Sequence, residues 1–439
     1  MRLVVLANRE PVRRVGGSYQ VALGGLAAAL YPAIRARGGV WVAWGPGGLD
    51  ERIELSGLAV RRVPLSVRRV KGYYQGYANQ GLWPLMHLFL ERFRHRTGWW
   101  RDYRAANRAF AEAAIQEGGP DALFWVHDYH LALAPALLRE RGAGRIGLFW
   151  HVPWPPLEVL AVLPEAEAVV RGMLGADLVG FHTEGYAERF LEAARALLGA
   201  RVGEGEVRLA GRRVRVGAFP IGVDVAGLLE ARTRVRARAE AIRAAYPGRR
   251  ILVGADRLDY TKGILERIRA YRRFLERDPA RAGEVVFLQL TAPSREEVPA
   301  YRGLKSRLLR LAEATERRFP GAFVHRYGAL DREELLAHFA AADLALVTPL
   351  RDGMNLVAME YALVSEGLPL LSRFAGAAAY LEGALLVNPY DEAGLARAIE
   401  AALGMPEGEW RQRRQALLAS VRRLDVGGWA EGFLGALSG

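Results

Sequence analysis

The 439-residue chain carries 61 Lys+Arg against 48 Asp+Glu, a formal net charge of +13, and contains no cysteine. Its length exceeds one ordinary core and fits two domains of roughly 200 residues each, while the missing cysteines exclude disulfides, thiolate metal sites and thiol nucleophiles. The apolar start is interrupted at Asn8-Arg9-Glu10, too soon for a signal peptide, and no apolar run approaches the ~20 residues of a membrane span, so a cytoplasmic protein without a membrane partner is expected.

The positive charge fits either nucleic acid or acidic small substrates. Lysine occurs only at Lys71, Lys262 and Lys305, so arginine carries nearly all of it, a bias typical of a GC-rich or thermophilic coding background. The arginines are spread along amphipathic stretches such as 232–243, interleaved with Ala and Glu, as on a solvated helix face. There is no zinc-finger pattern, basic tail, low-complexity tract or short repeat, and no nucleic-acid partner is expected.

In chain order, short Val/Leu/Ile/Phe-rich runs predict strands over 3–7, 40–44, 123–126, 146–151, 178–181 and 214–219, then over 251–255, 285–290, 322–325, 344–347, 368–371 and 384–387. Amphipathic stretches over 101–117, 184–198, 265–277 and 301–318 predict helices between them. Strands alternating with helices indicate parallel sheets covered on both faces. The fold class is therefore α/β, with two Rossmann-like doubly wound halves. A Pro- and Gly-containing hinge near 219–224 separates an expected first domain, 1–219, from a second, 220–424. Polar residues follow the strands in both halves, and ligands of open α/β sheets bind outside the carboxyl ends of strands. Two sheets facing one cleft are the resulting expectation.

Four groups of residues suit chemistry there. In Arg257-Leu258-Asp259-Tyr260-Thr261-Lys262-Gly263, an arginine and a lysine stand at a strand-to-helix junction where the helix amino terminus adds N–H groups. That is a cradle for a diphosphate, or else a capped turn with surface charges. In Arg351-Asp352-Gly353-Met354-Asn355-Leu356-Val357-Ala358-Met359-Glu360, Gly353 permits a tight turn that turns backbone N–H groups toward sugar or phosphate oxygens. Glu360 then suits ribose hydroxyls, or simply complements its helix dipole. Gly24-Gly25 opens a further helix, as a phosphate approach or a plain loop turn. His127-Asp128-Tyr129-His130 and His151-Val152-Pro153 end neighbouring strands and suit either sugar hydroxyls or a buried structural pair. The clusters Tyr73-Tyr74-Gln75-Gly76-Tyr77 and Leu82-Trp83-Pro84 suit a pyranose platform or the core.

The chain has no Gly-x-x-x-x-Gly-Lys-Ser/Thr loop, no Gly-x-Gly-x-x-Gly placed between a strand and a helix as dinucleotide binding requires, no His-Glu-x-x-His and no Asp-x-Asp. No cofactor and no metal are expected, and the charge of a leaving diphosphate falls to Arg257 and Lys262.

Taken in order, Asn8-Arg9, Gly24-Gly25-Leu26, Tyr73-Tyr74, Leu82-Trp83-Pro84, the two histidine runs, Gly180-Phe181-His182-Thr183, 257–263, Ser294-Arg295, 350–360, 372–378 and Val387-Asn388-Pro389-Tyr390-Asp391 resemble the trehalose-6-phosphate synthases over nearly the whole chain. That family, glycosyltransferase family 20, has the two-domain GT-B fold and retains configuration. The resemblance implies that Arg257 and Lys262 hold the nucleotide diphosphate, Glu360 the ribose, and Gly24 and Gly25 approach the donor phosphates. It implies that His151, Asp352, Gly353 and the backbone of Met354, Asn355, Leu356 and Val357 hold the donor glucose. Arg9, Tyr74, Trp83 and Arg295 would bind the acceptor phosphate, with Asp128 and Trp44 on the acceptor sugar. Asp128, His151, Arg257, Lys262 and Asp352 form its catalytic set. The implied partners are a nucleotide-glucose, with UDP-glucose foremost, and glucose 6-phosphate; a homo-oligomer is compatible with the reading. The resemblance further implies that the end of the chain, from about 425, crosses back onto the first domain.

The chain departs from the family at Gln75, where Asn is common, at Met359, where Lys often precedes the ribose glutamate, and in a shortened segment near 324–331. Three rival readings remain at this level. One is glucosylglycerol-phosphate synthesis on glycerol 3-phosphate, one is sugar-nucleotide epimerisation, and one is a basic nucleic-acid-binding protein.

Overall fold

A computed structural model describes residues 2–15, 18–21, 30, 31, 34, 38–45, 51–55, 57–295 and 297–439. The chain divides into two compact units, Met1–Ile221 with Val426–Gly439, and Gly222–Asp425. No helix among the described residues is long and apolar enough to cross a membrane.

The first unit contains strands β1 (Leu3–Arg9), β2 (Val12–Val15), β3 (Ser18–Val21), β4 (Val40–Gly45), β5 (Arg52–Leu55), β6 (Leu58–Pro64), β7 (Leu123–His127), β8 (Arg145–Phe149), β9 (Leu178–Phe181), β10 (Arg201–Gly203), β11 (Glu206–Leu209) and β12 (Arg212–Ala218). β2 and β3 pair as a separate hairpin, and the others form one sheet in the order β10-β11-β12-β9-β8-β7-β1-β4-β6-β5. From β12 across to β6 the neighbours run parallel, with antiparallel strands only at the edges. The centre is buried on both faces, as a parallel sheet requires: Leu3, Val4, Val5 and Leu6 are fully enclosed. The order reverses between β1 and β7, so the ends of those two strands flank the crevice where such sheets take ligands.

The helices that matter below are α1 (Val67–Val70), α2 (Thr97–Gly118), α3 (Ile264–Arg277), α4 (Leu356–Val364) and α5 (Val426–Ser438). α2 buries Tyr103, Ala106, Asn107, Phe110, Ala111 and Ala114, a stripe at helical spacing, and turns its arginines outward. The second unit has β13 (Arg250–Arg257), β14 (Val285–Ala292), β15 (Phe323–Tyr327), β16 (Leu344–Val347), β17 (Leu368–Ser372) and β18 (Leu385–Val387), all parallel in the order β15-β14-β13-β16-β17-β18. Its reversal lies between β13 and β16.

Each strand expected in the second half is present to within a residue or two. The first half has more strands than the sequence reading gave, and the reason is visible in β6. Arg61-Arg62 interrupts its apolar run, yet Arg62 is only 3% exposed, bonded to Glu10 at 2.7 Å and to the Tyr19 hydroxyl at 3.0 Å. A paired cation occupies a core position there. Lys71–Leu82 winds as a π-helix, where the sequence reading gave only aromatic clusters, and Tyr73 and Tyr77 are buried in it.

α5 packs in the first unit through Phe433, which is fully buried and stacks on Trp125 at 5.0 Å between centroids. Gly147 on β8 and Gly180 on β9 make room for it: a Cβ on either would lie 2.7 and 2.6 Å from the Phe433 ring. Truncation Phe433→Ala should therefore cost the first unit about 3–5 kcal/mol, whereas Leu386→Ala, at an exposed position of the second unit, should change stability by under about 0.5 kcal/mol. Urea denaturation of both variants checks this; equal losses would contradict the packing role of Phe433.

Candidate active site

In the second unit the site is built on the loops after β13 and β16. Asp259 caps the turn after β13 by accepting from the Thr261 N–H at 3.1 Å. Gly263 follows with φ +63°, and a Cβ there would meet the Thr348 carbonyl at 2.3 Å, so only glycine lets the two loops close on each other. The Leu350 N–H donates to the Thr261 carbonyl at 2.7 Å, which fixes their register.

This closure joins Lys262 to Asp352, Nζ to Oδ2 at 2.5 Å, with side chains 15% and 17% exposed. Asn355 donates its amide to the same Asp352 oxygen at 3.0 Å. Asn355 stands at the amino terminus of α4 with φ +76° and makes no cap bond to that helix. Its side chain buttresses Asp352 instead, so the first N–H groups of α4, at Leu356 and Val357, remain available for ligand oxygens. Gly353 and Met354 are held from behind, Met354 accepting from the Ala377 N–H at 2.8 Å. Glu360 lies one turn into α4, paired with Arg332 at 2.8 Å. Arg257 ends β13 with an exposed side chain.

Arg295 also belongs to this unit. It donates to Asp259 Oδ2 at 3.3 Å and to the Tyr301 hydroxyl at 2.7 Å, and Tyr301 donates to Asp259 at 3.0 Å. Asp259 is fully enclosed, and burial beside it pushes the Tyr301 hydroxyl pKa up. The carboxylate that shapes the lysine turn thus also orients Arg295.

Beneath the lysine lies Arg267 of α3, fully buried. It reaches Asp256 at 2.7 Å, Thr348 at 3.0 Å, Gln289 at 3.3 Å and the Lys262 carbonyl at 3.1 Å. The sequence reading missed Arg267, Asp256, Asp259 and Tyr301 as site-forming residues. A signal existed for the first: Arg267 falls on the apolar stripe of α3 with Ile264, Ile268, Tyr271 and Leu275, where a lone cation needs partners.

In the first unit a separate set of candidate residues stands near the ends of β1 and β7. Arg9 donates to the Tyr74 hydroxyl at 2.9 Å. Tyr74 stacks with Trp44 at 6.2 Å and with His130 at 5.7 Å. Among the described residues the indole N–H of Trp44 is enclosed without a hydrogen-bond partner. Trp83 packs instead on His87 and Tyr129, at 4.1 and 5.7 Å between centroids, and is 6% exposed. Asp128, at φ +73°, accepts from the His151 N–H at 3.3 Å. Gly24 and Gly25 lie outside the described residues.

Five described non-glycine residues have positive φ, and three are site residues, namely Asp128, Arg295 and Asn355. Each costs of order 1 kcal/mol or more, and the tight bonding around them holds the strain.

His127 and His151 touch ring to ring, Nδ1 to Nε2 at 3.0 Å. Among the described residues, His127 Nε2 is buried without a partner. A buried lone pair costs less than a buried N–H, so His127 donates from Nδ1 and His151 carries its proton on Nδ1. Burial holds His127 down to about 3, and burial with the neighbouring His127 and His182 holds His151 well below its ordinary value. Both are neutral at physiological pH. Because the folded state binds fewer protons than the unfolded one, stability should fall as pH drops from about 6.5 toward 3. The variant His127→Gln should lessen that slope by about 1.4 kcal/mol per pH unit. Urea titrations across this window test it, and an unchanged slope would contradict the neutral pair.

Comparison with known proteins matches the family model described as Glycosyltransferase family 20 over residues 18–438. A trehalose-6-phosphate synthase of Mycobacterium avium is 44% identical, over 99% of this chain and 95% of that protein. Among solved structures, an alpha,alpha-trehalose-phosphate synthase (UDP-forming) of Burkholderia xenovorans in complex with glucose-6-phosphate has TM-score 0.92 and 32% identity, covering 100% of each chain. An Escherichia coli structure, described as trehalose-6-phosphate bound with UDP-2-fluoro glucose, has TM-score 0.92 and 30% identity, covering 100% of this chain and 99% of that one.

Proposed function

The chain belongs to glycosyltransferase family 20, and on that premise we propose that it moves glucose from UDP-glucose to glucose 6-phosphate, releasing UDP and forming α,α-trehalose 6-phosphate. The observation that carries this reading within the site is the Lys262–Asp352–Asn355 group at the reversal point of the second sheet. A cation for phosphate, a carboxylate for sugar hydroxyls and an open helix amino terminus stand together there.

The second unit takes the donor. Arg257 and Lys262 balance the diphosphate, Glu360 accepts from the ribose, and Asp352 with the backbone from Gly353 to Val357 holds the glucose. Gly24, Gly25 and His151 are the remaining donor-binding residues of this reading. Arg9, Tyr74, Trp83 and Arg295 take the acceptor phosphate, and Trp44 and Asp128 the acceptor sugar. The acceptor's anomeric hydroxyl oxygen bonds to donor C1 as the C1–O bond to UDP breaks, and its proton passes to the departing phosphate oxygen. Attack and departure on one face retain configuration. The side chains supply positioning and charge rather than a nucleophile.

Incubation with UDP-glucose, with and without glucose 6-phosphate, tests the reading through UDP release. Release should require the acceptor; release without it, as a hydrolase or epimerase would give, contradicts the assignment. Lys262→Ala should lower kcat/KM for the donor about 100-fold or more. Arg295→Ala should raise KM for glucose 6-phosphate more than for UDP-glucose, and the opposite ranking would reassign that residue.

A further inference from the structure

We propose that α1 and the outer face of α2 form a second anion site, distinct from the donor and acceptor residues, for a ligand carrying two or more phosphate groups. The pattern in α2 is Arg101, Arg104, Ala105, Arg108, Ala109 and Glu112, one stripe at helical spacing. Ala105 and Ala109 are short, and the arginines beside them rise as a wall. Arg69 of α1 supplies the opposite wall, and the groove between has a volume of about 410 Å³.

Two observations separate this groove from an ordinary solvated helix face. First, many exposed arginines elsewhere on the chain are matched by carboxylates one turn away, as Arg171 is with Glu167, Arg236 with Glu240, Arg317 with Glu313 and Arg413 with Glu409. The side chains of Arg69, Arg101, Arg104 and Arg108 make no ion pair or hydrogen bond among the described residues. The one acid at the groove, Glu112, is engaged by Arg141 at 2.8 Å. Four like charges converge on one concavity, a repulsive arrangement that an anion would relieve. Second, the groove is short. Arg101 and Arg108 are about 10 Å apart along the helix axis, so the arginines span only a short length.

The guanidinium fork matches phosphate oxygens in pairs. One phosphate cannot engage cations spread over that length, whereas two or three linked phosphates can. The chemistry is therefore that of a short oligophosphate or a nucleoside polyphosphate, and the short span of the four arginines favours such a ligand over a long nucleic acid. The inner face of the same helix holds the segment after β7. The Tyr103 hydroxyl donates to the Tyr129 carbonyl at 2.6 Å, and the Asn107 amide to the His130 carbonyl at 3.1 Å. A ligand on the outer face would therefore sit on the helix that braces Asp128 and His130.

Calorimetric titration with inorganic tripolyphosphate tests the site, at physiological ionic strength and with the protein saturated with UDP so that the diphosphate cradle is filled. Wild type should bind, Lys262→Ala should bind equally, and the double variant Arg104→Ala/Arg108→Ala should bind about tenfold more weakly or worse. The double variant lies on an exposed helix face, and its unchanged glucosyl transfer would show an intact fold. A single Arg101→Glu should weaken binding further than Arg101→Ala. Absent binding in wild type, equal binding by the double variant, or tighter binding of duplex DNA than of tripolyphosphate would each overturn the proposal.

Discussion

A buried guanidinium organises the second unit. Arg267 lies on the sheet-facing stripe of α3, with no exposure to solvent, and an unpaired cation there would cost several kcal/mol. Its needs are met by Asp256 at the end of β13, Gln289 on β14, Thr348 just after β16 and the Lys262 carbonyl. Because those partners come from the strand ends on both sides of the reversal point, satisfying one cation fixes the relative height of the loops that carry Lys262 and Asp352. Burial raises the Asp256 pKa, while the neighbouring Arg267 and Lys262 act against that shift. The network is therefore electrostatically linked to the lysine it positions.

The same economy recurs at Asp259. Its two oxygens serve different loops: one caps the turn before Lys262, the other receives Arg295 and Tyr301. In the first unit Asp128 plays a comparable part, in a left-handed conformation and bonded to the His151 backbone. The charged groups proposed to bind ligand are thus held by buried carboxylates or by strained backbone rather than by long flexible side chains alone. Such preorganisation suits a transfer in which the protein provides position and electrostatic balance.

The alternation of apolar runs and amphipathic stretches made the two parallel sheets legible, since strands buried on both faces read as uninterrupted Val/Leu/Ile/Phe segments. The same criterion failed at β6, where Arg62 finds Glu10 far away in sequence, and at Lys71–Leu82, where π-helical spacing matches neither a 3.6 nor a 2.0 period. Lys262, Asp352 and Asn355 were legible because they cluster at strand-to-helix junctions. Arg267 and Asp259 were not read as site-forming, because most of their partners lie far off in the chain, 11 to 81 residues away for the side chains around Arg267 and 36 to 42 for Arg295 and Tyr301 at Asp259. Arg267 alone left a trace, as a charge on an apolar stripe.

Transfer with retained configuration onto an anomeric oxygen is the central claim, and the linkage of the product records it most directly. Proton NMR of the purified product should show two α-anomeric protons and no reducing end, with phosphate on one sugar only. A β-anomeric signal, a free reducing end, or glucose joined to any other hydroxyl would contradict the account.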